Sequence, residues 1–338
     1  MGCDNLEEFP EAAPGKIGWP WTSGSAPLPP VRTDGGTWPR ISVITPSFNQ
    51  ARYLEATIRS VLLQGYPNLE YYVLDGASTD GSVDIIRKYE PWLAGWVSEP
   101  DGGQSAAINR GLRWASGSFA TWINSDDMLQ QDALATQAER YGFCDDVVYI
   151  GDCLYIDEDG RARNLHRGRV HNLEDLVRIR TVWRATERRG HIVQPEVLFP
   201  RQLALDVGAL DTGNHRTMDY ELWGKLLLAG AAFQYTQIPF AMFRLHSAQK
   251  TGEGWAQTQS LVKTAVKLVN QSRDLSQRTR ESIIADLYAY ECDYWRESGP
   301  LARLGLPPGV VLPIRKVHAG LRRHAVQLVR RRSERVVF

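Results

Sequence analysis

Two adjacent carboxylates close the stretch ATWINSDDMLQ, residues 120–130. Trp122 and Ile123 read there as the buried end of a strand, and Asn124-Ser125-Asp126-Asp127 as its exit. Neighbouring carboxylates beside a core repel one another and burial makes each costlier, so a cation is expected between them. Mg2+ and Mn2+ favour oxygen ligands, and Mg2+ commonly combines one or two carboxylates with substrate phosphates. The plainer alternative is that Ser125 or Asp127 caps a helix starting near Gln130. Two other clusters carry related chemistry. DGASTDGS puts Asp75 at a strand end before small turn-forming residues, which let backbone approach a flat or phosphorylated ligand. DGGQSAAINRG follows glycines with a helix start whose amides suit an anion, and offers Arg110 to a phosphate or carboxylate. Its alternative is an ordinary glycine turn and a surface arginine.

Positioning these groups falls to alternating strands and helices that begin at Ile41. ISVITP, LEYYVLDG, GWVSEP and SFATWI read as strands. Helices are expected from Asn49 to Gln64, around Ser82 to Tyr89, over 104–115 and in QQDALATQAERY. Leu54, Ile58, Val61 and Leu62 share one face of the first helix, with Asn49 as N-cap and Gly65-x-Pro67 as stop. Repeated strand–helix units with mostly apolar strands predict an α/β fold with a mostly parallel central sheet flanked by helices. Ligands of such sheets gather beyond the carboxyl ends of the strands, where TPSFN, DGASTDGS, SEPDGGQS and NSDD fall. The second half is more mixed: a hairpin in DVVYIGDCLYIDEDG, a basic loop region through Arg189, then QPEVLFPR, MDYELWGKLLLAG and FQYTQIPFAMFRLH as strand, helix and strands. Helical periodicity runs from about Gln257 to Glu297.

The whole chain bounds the reading. With 338 residues and 43% hydrophobic content it can bury a large core. Lys+Arg and Asp+Glu balance at 39 each, so no overall field recommends nucleic acid. The four cysteines show no zinc or disulfide spacing, and the start of the chain lacks a signal-peptide pattern; both fit a reducing, cytoplasmic setting. A nicotinamide dehydrogenase would carry GxGxxG after the first strand, where TPSFNQ stands instead.

In order and spacing, ISVITPSFNQARYLEATIRSVLLQGYPNLEYYVLDGASTDGS, DGGQSAAINRG and WINSDD resemble the family 2 inverting glycosyltransferases of GT-A fold, the bacterial cell-surface polysaccharide type above all. The resemblance runs from Ile41 to about Thr251. It implies a Rossmann-like GT-A catalytic domain over 40–252, after an irregular arm at 1–39 and before a helical extension with a basic tail at 253–338. It implies a nucleotide-sugar donor, a UDP-sugar before a dTDP-sugar, and a saccharide or lipid-linked acceptor. Thr45, Pro46 and Ser47 would lie against the nucleoside, with Asp75 on the base imide. Asp101, Gln104 and Arg110 would line the donor pocket, and Asn124 and Ser125 would also belong to the donor-binding residues. Asp126, Asp127 and His246 of FRLH would hold Mn2+ or Mg2+. Asn124 stands where many relatives have the first Asp of Asp-x-Asp, which leaves open which of Asp126 and Asp127 is the direct ligand. RTMDYELWGKL resembles the family's acidic helix start, making Asp219 the base and Glu221 the weaker candidate; an N-cap role for Asp219 is the alternative. Gln194, Pro195 and Glu196 look like the acceptor-side loop. A non-catalytic sugar-nucleotide binding or scaffold protein of the same fold is the rival reading.

From Ile314 the chain carries eight Lys or Arg residues against one Glu, interspersed with apolar positions. That pattern suits a basic amphipathic helix on an anionic membrane surface at the inner face of the cell membrane, or a basic helix packed on the domain or a partner.

Overall fold

The computed structural model describes residues 6–183, 189–247, 249 and 254–298. The first strands and helices alternate as β1 (Ile41–Ser47), α1 (Ala51–Leu62), β2 (Leu69–Asp75), α2 (Ser82–Tyr89), β3 (Gly95–Ser98), α3 (Gln104–Trp114) and β4 (Phe119–Trp122). A short β5 (Met128–Leu129) and α4 (Ala133–Arg140) lead into β6 (Val147–Ile156) and β7 (Ala162–Gly168). Then come α5 (Leu173–Val177), α6 (Ile179–Trp183), β8 (Arg189–Gly190), β9 (Val197–Pro200) and α7 (Arg201–Asp206). The described chain ends with α8 (Met218–Leu228), β10 (Ala232–Arg244), α9 (Gly254–Gln271) and α10 (Gln277–Ser298).

One sheet runs in the order β3-β2-β1-β4-β9-β6-β10-β5, with β7 on β6 and β8 on β7. Its first four strands are parallel, as their apolar sequences require: every residue of β1 is buried, which only a sheet covered on both faces provides. Beyond β4 the sheet turns mixed, because β9 runs antiparallel to both β4 and β6 while β10 is parallel to β6. On one face α1 packs Leu54, Ile58, Val61 and Leu62 against Ile41, Val43 and Val73. On the other, α3, α8, α9 and α10 share a single apolar cluster around Trp122 and Trp223.

Several local expectations are corrected. Asn49 does not cap α1; it takes a left-handed φ of 52°, and its side chain accepts from the Thr79 N–H at 2.9 Å. The helix start is instead satisfied from the next loop, where Asp80 accepts from the Ala51 N–H at 2.8 Å. Neither Ser125 nor Asp127 caps a helix, since β5 intervenes and α4 begins only at Ala133. The hairpin has β6 as its first arm, and its second arm, β7, lies in what reads as basic loop. The helical stretch after residue 253 is two helices broken before Gln277. The basic tail from Ile314 lies outside the described residues. No described helix is long and apolar enough to cross a membrane.

Candidate active site

The carboxyl ends of β1 to β4 deliver their polar clusters to one side of the sheet, as parallel order demands. Asp75 ends β2 opposite Ser47 of β1. Its carboxylate accepts from the Ser78 N–H (2.8 Å), the Ser78 hydroxyl (2.5 Å) and the Ser98 hydroxyl (2.7 Å), which fixes the loop after β2 to β3. Asp75, Asp101, Arg110 and Arg113 line a cleft of about 220 Å³. The Arg110 guanidinium pairs with Glu99 and lies 4.6 Å from the centre of the Trp114 ring, two contacts that hold it at the cleft wall. Ser47 is buried, and its hydroxyl has no hydrogen-bond partner among the described residues. Thr45 is turned into the core, where its hydroxyl accepts from Tyr71 at 2.8 Å. Like Pro46, it is buried in β1, and neither is among the residues lining the cleft.

After β4 the chain turns through Asn124-Ser125-Asp126-Asp127, and the two acids part company. Asp127 is buried: it accepts from the backbone N–H of Arg244 at 2.9 Å and from the Asn124 amide at 3.3 Å. Burial first, and the neighbouring Asp126 charge second, push its carboxyl well above the usual carboxylate range. Asp126 points the other way, with Oδ2 at 2.9 Å from His246 Nε2. The His246 ring lies 5.1 Å from that of Tyr53, while Arg244 donates to the carbonyl of Asp126 at 2.9 Å and covers the same Tyr53 ring. Among the described residues no third His, Cys, Asp or Glu joins Asp126 and His246. That donor set fits a divalent cation which keeps positions for diphosphate oxygens and water, and the imidazole suits Mn2+ better than Mg2+.

Asn124 is the hub between this turn and its surroundings. Its carbonyl oxygen accepts from Gln104 at 2.7 Å, and its amide donates to Gln194 at 3.0 Å. Gln194 donates in turn to the carbonyl of Trp122 at 2.6 Å. Ser125 contributes its carbonyl, which accepts from Thr57 at 3.0 Å.

Asp219 is the second residue of α8, after Thr217 at the N-cap, so the capping alternative does not hold. It lies one turn before Trp223, on the same helix face. Trp223 stacks on Trp122 at 5.5 Å with the planes 18° apart, and the Ser105 hydroxyl meets Met218 Sδ at 2.7 Å. Two contacts thereby tie α8 to the end of β4 and to the first turn of α3, which Gln104 opens. Desolvation raises the Asp219 carboxyl above its ordinary value, against the N–H groups of Tyr220 and of Asp219 itself. Glu221 is not placed for this chemistry. It is buried, accepting from Lys267 at 2.5 Å and from Asn214 at 2.7 Å on the side facing α9.

Sequence reasoning missed Phe48. Its ring is 62% exposed and lies 3.4 Å from where a Cβ on Gly76 would stand, with the Asp101 carboxylate equally close to that point. An aromatic between Ser47 and Asn49 in a polar strand-end loop was the available signal, because an exposed ring in polar surroundings has no core to pack in.

Residues 42–198 match the family model described as Glycosyl transferase family 2. The putative teichuronic acid biosynthesis glycosyltransferase TuaG of Bacillus subtilis is 38% identical over 104 residues, 30% of this chain and 41% of its own length. An uncharacterized glycosyltransferase of Rickettsia typhi, RT0329, is 25% identical over 217 residues, 63% of this chain and 66% of its own. The crystal structure of S. aureus TarS residues 1–349 in complex with UDP-GlcNAc gives a TM-score of 0.58 at 17% identity, over 77% of this chain and 74% of that one. Against TuaG the match spans about two fifths of the relative, and at 17% identity the likeness to TarS speaks for the fold alone.

Proposed function

We propose that this protein, whose residues 42–198 match the glycosyl transferase family 2 model, moves a sugar from a nucleotide-diphosphate sugar to an acceptor hydroxyl with inversion at the anomeric carbon. What supports this reading is that the Asp75–Asp101–Arg110 cleft and the Asp126–His246 pair both stand past the ends of the parallel strands, while α8, which carries Asp219, is tied to the end of β4 by the Trp223–Trp122 stack. In this reading Phe48 stacks the base, Asp75 accepts from its imide through the lone pair its serines leave free, and Arg110 meets donor oxygens. UDP is the favoured nucleotide, by analogy with the UDP-GlcNAc complex of TarS, and cell-surface polysaccharide assembly is the favoured setting, by analogy with TuaG and teichuronic acid.

A divalent ion held by Asp126 and His246 would supply a counter-charge for the departing diphosphate. Asp219 takes the acceptor hydroxyl proton as that oxygen attacks from the face opposite the leaving group. Gln104, Asn124 and Gln194 hold the turn and the acceptor loop in register, so that the reacting groups meet without further ordering. We place catalysis in 40–252 and on the cytoplasmic side of the membrane.

The test is Asp219→Asn, with UDP binding followed by calorimetry and turnover by UDP release in the presence of acceptor. Turnover should fall at least about 100-fold, the scale of a lost general base, while UDP affinity is unchanged. Retained turnover removes the base assignment. The pH sign follows from the raised carboxyl: the base works ionised, so activity falls as pH drops through a value above that of a free Asp. The folded state prefers the neutral form, so its stability declines as pH rises through the unfolded and then the folded value. Asp219→Asn should therefore be the more heat-stable protein at neutral pH, a trade of stability for activity.

A further inference from the structure

α9 belongs to the extension beyond 252, yet its polar residues converge on the start of α8. Gln257, Ser260, Thr264 and Lys267 recur at intervals of three and four, so they form one polar stripe along the helix. Gln257 donates to the carbonyl of Arg216 at 3.0 Å, and Lys267 pairs with Asp211 at 3.6 Å and with the buried Glu221. Between them the Thr217 hydroxyl lies 3.0 Å from the Ser260 oxygen and 2.9 Å from that of Thr264. The two helices approach closely, since a Cβ on Gly224 of α8 would collide with Leu268 of α9.

Thr217 stands at the N-cap of α8 but its side chain does not cap the helix. A capping threonine accepts from the N–H of the second or third helical residue, here Asp219 and Tyr220. The Thr217 hydroxyl has one hydrogen and two lone pairs. It donates to Asn214 Oδ1 at 3.0 Å and so accepts from Ser260 and Thr264, which leaves no lone pair for the helix. Thr217 and Thr264 are buried, so these bonds do not exchange with water. The two amides that a cap would take act on the Asp219 carboxyl instead.

The charged groups on α8 and on the elements packed against it have partners of their own. Glu221 is held by Lys267 and Asn214, and Lys225 by the carbonyl of Ala209. On α7, Arg201 donates to the carbonyls of Leu112 and Gly117, and Asp206 accepts from Gln202. On α5, Glu174 is paired with Arg178 and Asp175 accepts from the His171 N–H.

We propose that α9 positions the base: Ser260 and Thr264 hold the N-cap hydroxyl of Thr217, and the amides thereby left open fix the orientation of the Asp219 carboxylate. Ser260 and Thr264 are positioning residues that act through Thr217, so the extension takes part in catalysis without touching substrate. The inference rests on the reading of Asp219 as base, and its test separates the two.

The full-length protein, isotope-labelled at its aspartate carboxyl carbons, is titrated with acid and base by NMR, the Asp219 signal being identified by its loss in Asp219→Asn. In Ser260→Ala/Thr264→Val the Thr217 hydroxyl is released to accept from the two amides. The Asp219 midpoint should then rise by about one pH unit, since two or three such N–H bonds lower a carboxyl by about two. Thr217→Val alone removes the hydroxyl and leaves the amides to Asp219, so the midpoint should stay in place although stability falls. Adding Thr217→Val to the double variant should return the midpoint to the parental value, and Thr264→Ser, which keeps the donor, should not move it. UDP affinity should be unchanged throughout. An unmoved midpoint in Ser260→Ala/Thr264→Val overturns the proposal. An equal rise in Thr217→Val also overturns it, because loosening of the helix start then accounts for the effect. Thr264→Val alone, which keeps the side-chain shape, makes the same comparison with about half the rise if the double variant folds poorly. If Asp219→Asn keeps its turnover, the base reading falls and this role with it. If Asp219→Asn loses turnover and the midpoint does not move, only the role of α9 falls.

Discussion

Asp126 and Asp127 are neighbours in sequence and opposites in the fold, and the cause is a single turn. Asp127 is drawn inward by the Arg244 N–H, Asp126 outward to His246. That two acids stand at a strand exit was legible from their spacing. Which one faces the site was not, because it depends on β10, more than a hundred residues away. Glu221 misled for a similar reason: its partner Lys267 lies on α9 and no local pattern announces it. The turn is held from beneath by Thr57, whose hydroxyl lies 3.0 Å from the carbonyl of Ser125 and 2.6 Å from that of Asp127, fully buried. We predict that Thr57→Val, which keeps the shape and removes the donor, leaves two carbonyls poorly satisfied and loosens the turn. Stability should fall by about 1–3 kcal/mol, the range for a buried group left unpaired. Mn2+-dependent UDP binding, measured by calorimetry, should weaken by more than UDP binding in EDTA. Thr57→Ser should restore both. Equal weakening with and without metal would reduce Thr57 to a core residue.

Among the elements, the strands β1 to β4 were readable because apolar runs bounded by turn residues survive folding unchanged. Helix starts were less so: Asn49 has a capping residue's chemistry, yet Asp80 from another loop occupies that role. α3 shows why such details matter to the site. Gln104 and Ser105 open this helix, and their reach to Asn124 and Met218 depends on how closely α3 approaches β1. Gly111 sets that approach, since a Cβ there would stand 2.6 Å and 2.8 Å from side-chain carbons of Ile44, a stiff β-branched residue at zero exposure. Gly111→Ala gains helix propensity of about 1 kcal/mol but forces helix and strand apart. The overpacking term of about 1–3 kcal/mol should dominate, so urea unfolding should show a net loss. Displacing α3 should also lower kcat more than it changes UDP affinity, because Gln104 and Ser105 serve the turn and α8. A variant as stable as the parent would show that α3 has slack against β1.

At the scale of the whole molecule, the alternating half declared its architecture and the mixed half did not. β9 and β10 enter the sheet out of sequence order, and such crossovers leave no periodic trace. The arm before β1 is the other case: Pro, Gly and Trp without periodicity mark it as irregular but do not say what it does. In the fold it straps the back of α1. The buried Arg59 donates to the carbonyls of Pro10 (2.9 Å), Pro20 (3.0 Å) and Trp21 (2.9 Å) and to the Tyr89 hydroxyl (3.0 Å), between the rings of Phe9 and Trp21. Trp19 carries the strap on to the carbonyl of Leu129, two residues past Asp127. A buried cation with no carboxylate among these contacts is stable here because carbonyl dipoles surround it, and those carbonyls in turn have it as their donor. Arg59→Met keeps the stem and removes the donors. Each orphaned carbonyl costs about 1–3 kcal/mol, and partial access to water moderates the sum, so a net loss of about 2–4 kcal/mol is expected in urea unfolding. Because the penalty falls on the arm, chymotrypsin should cut after Trp21, the Trp19 bond being blocked by Pro20, well before the rest of the chain opens. Cleavage first in the β1–β4 core, or none faster than in the parent, would mean that the arm is held by its aromatic packing and not by Arg59.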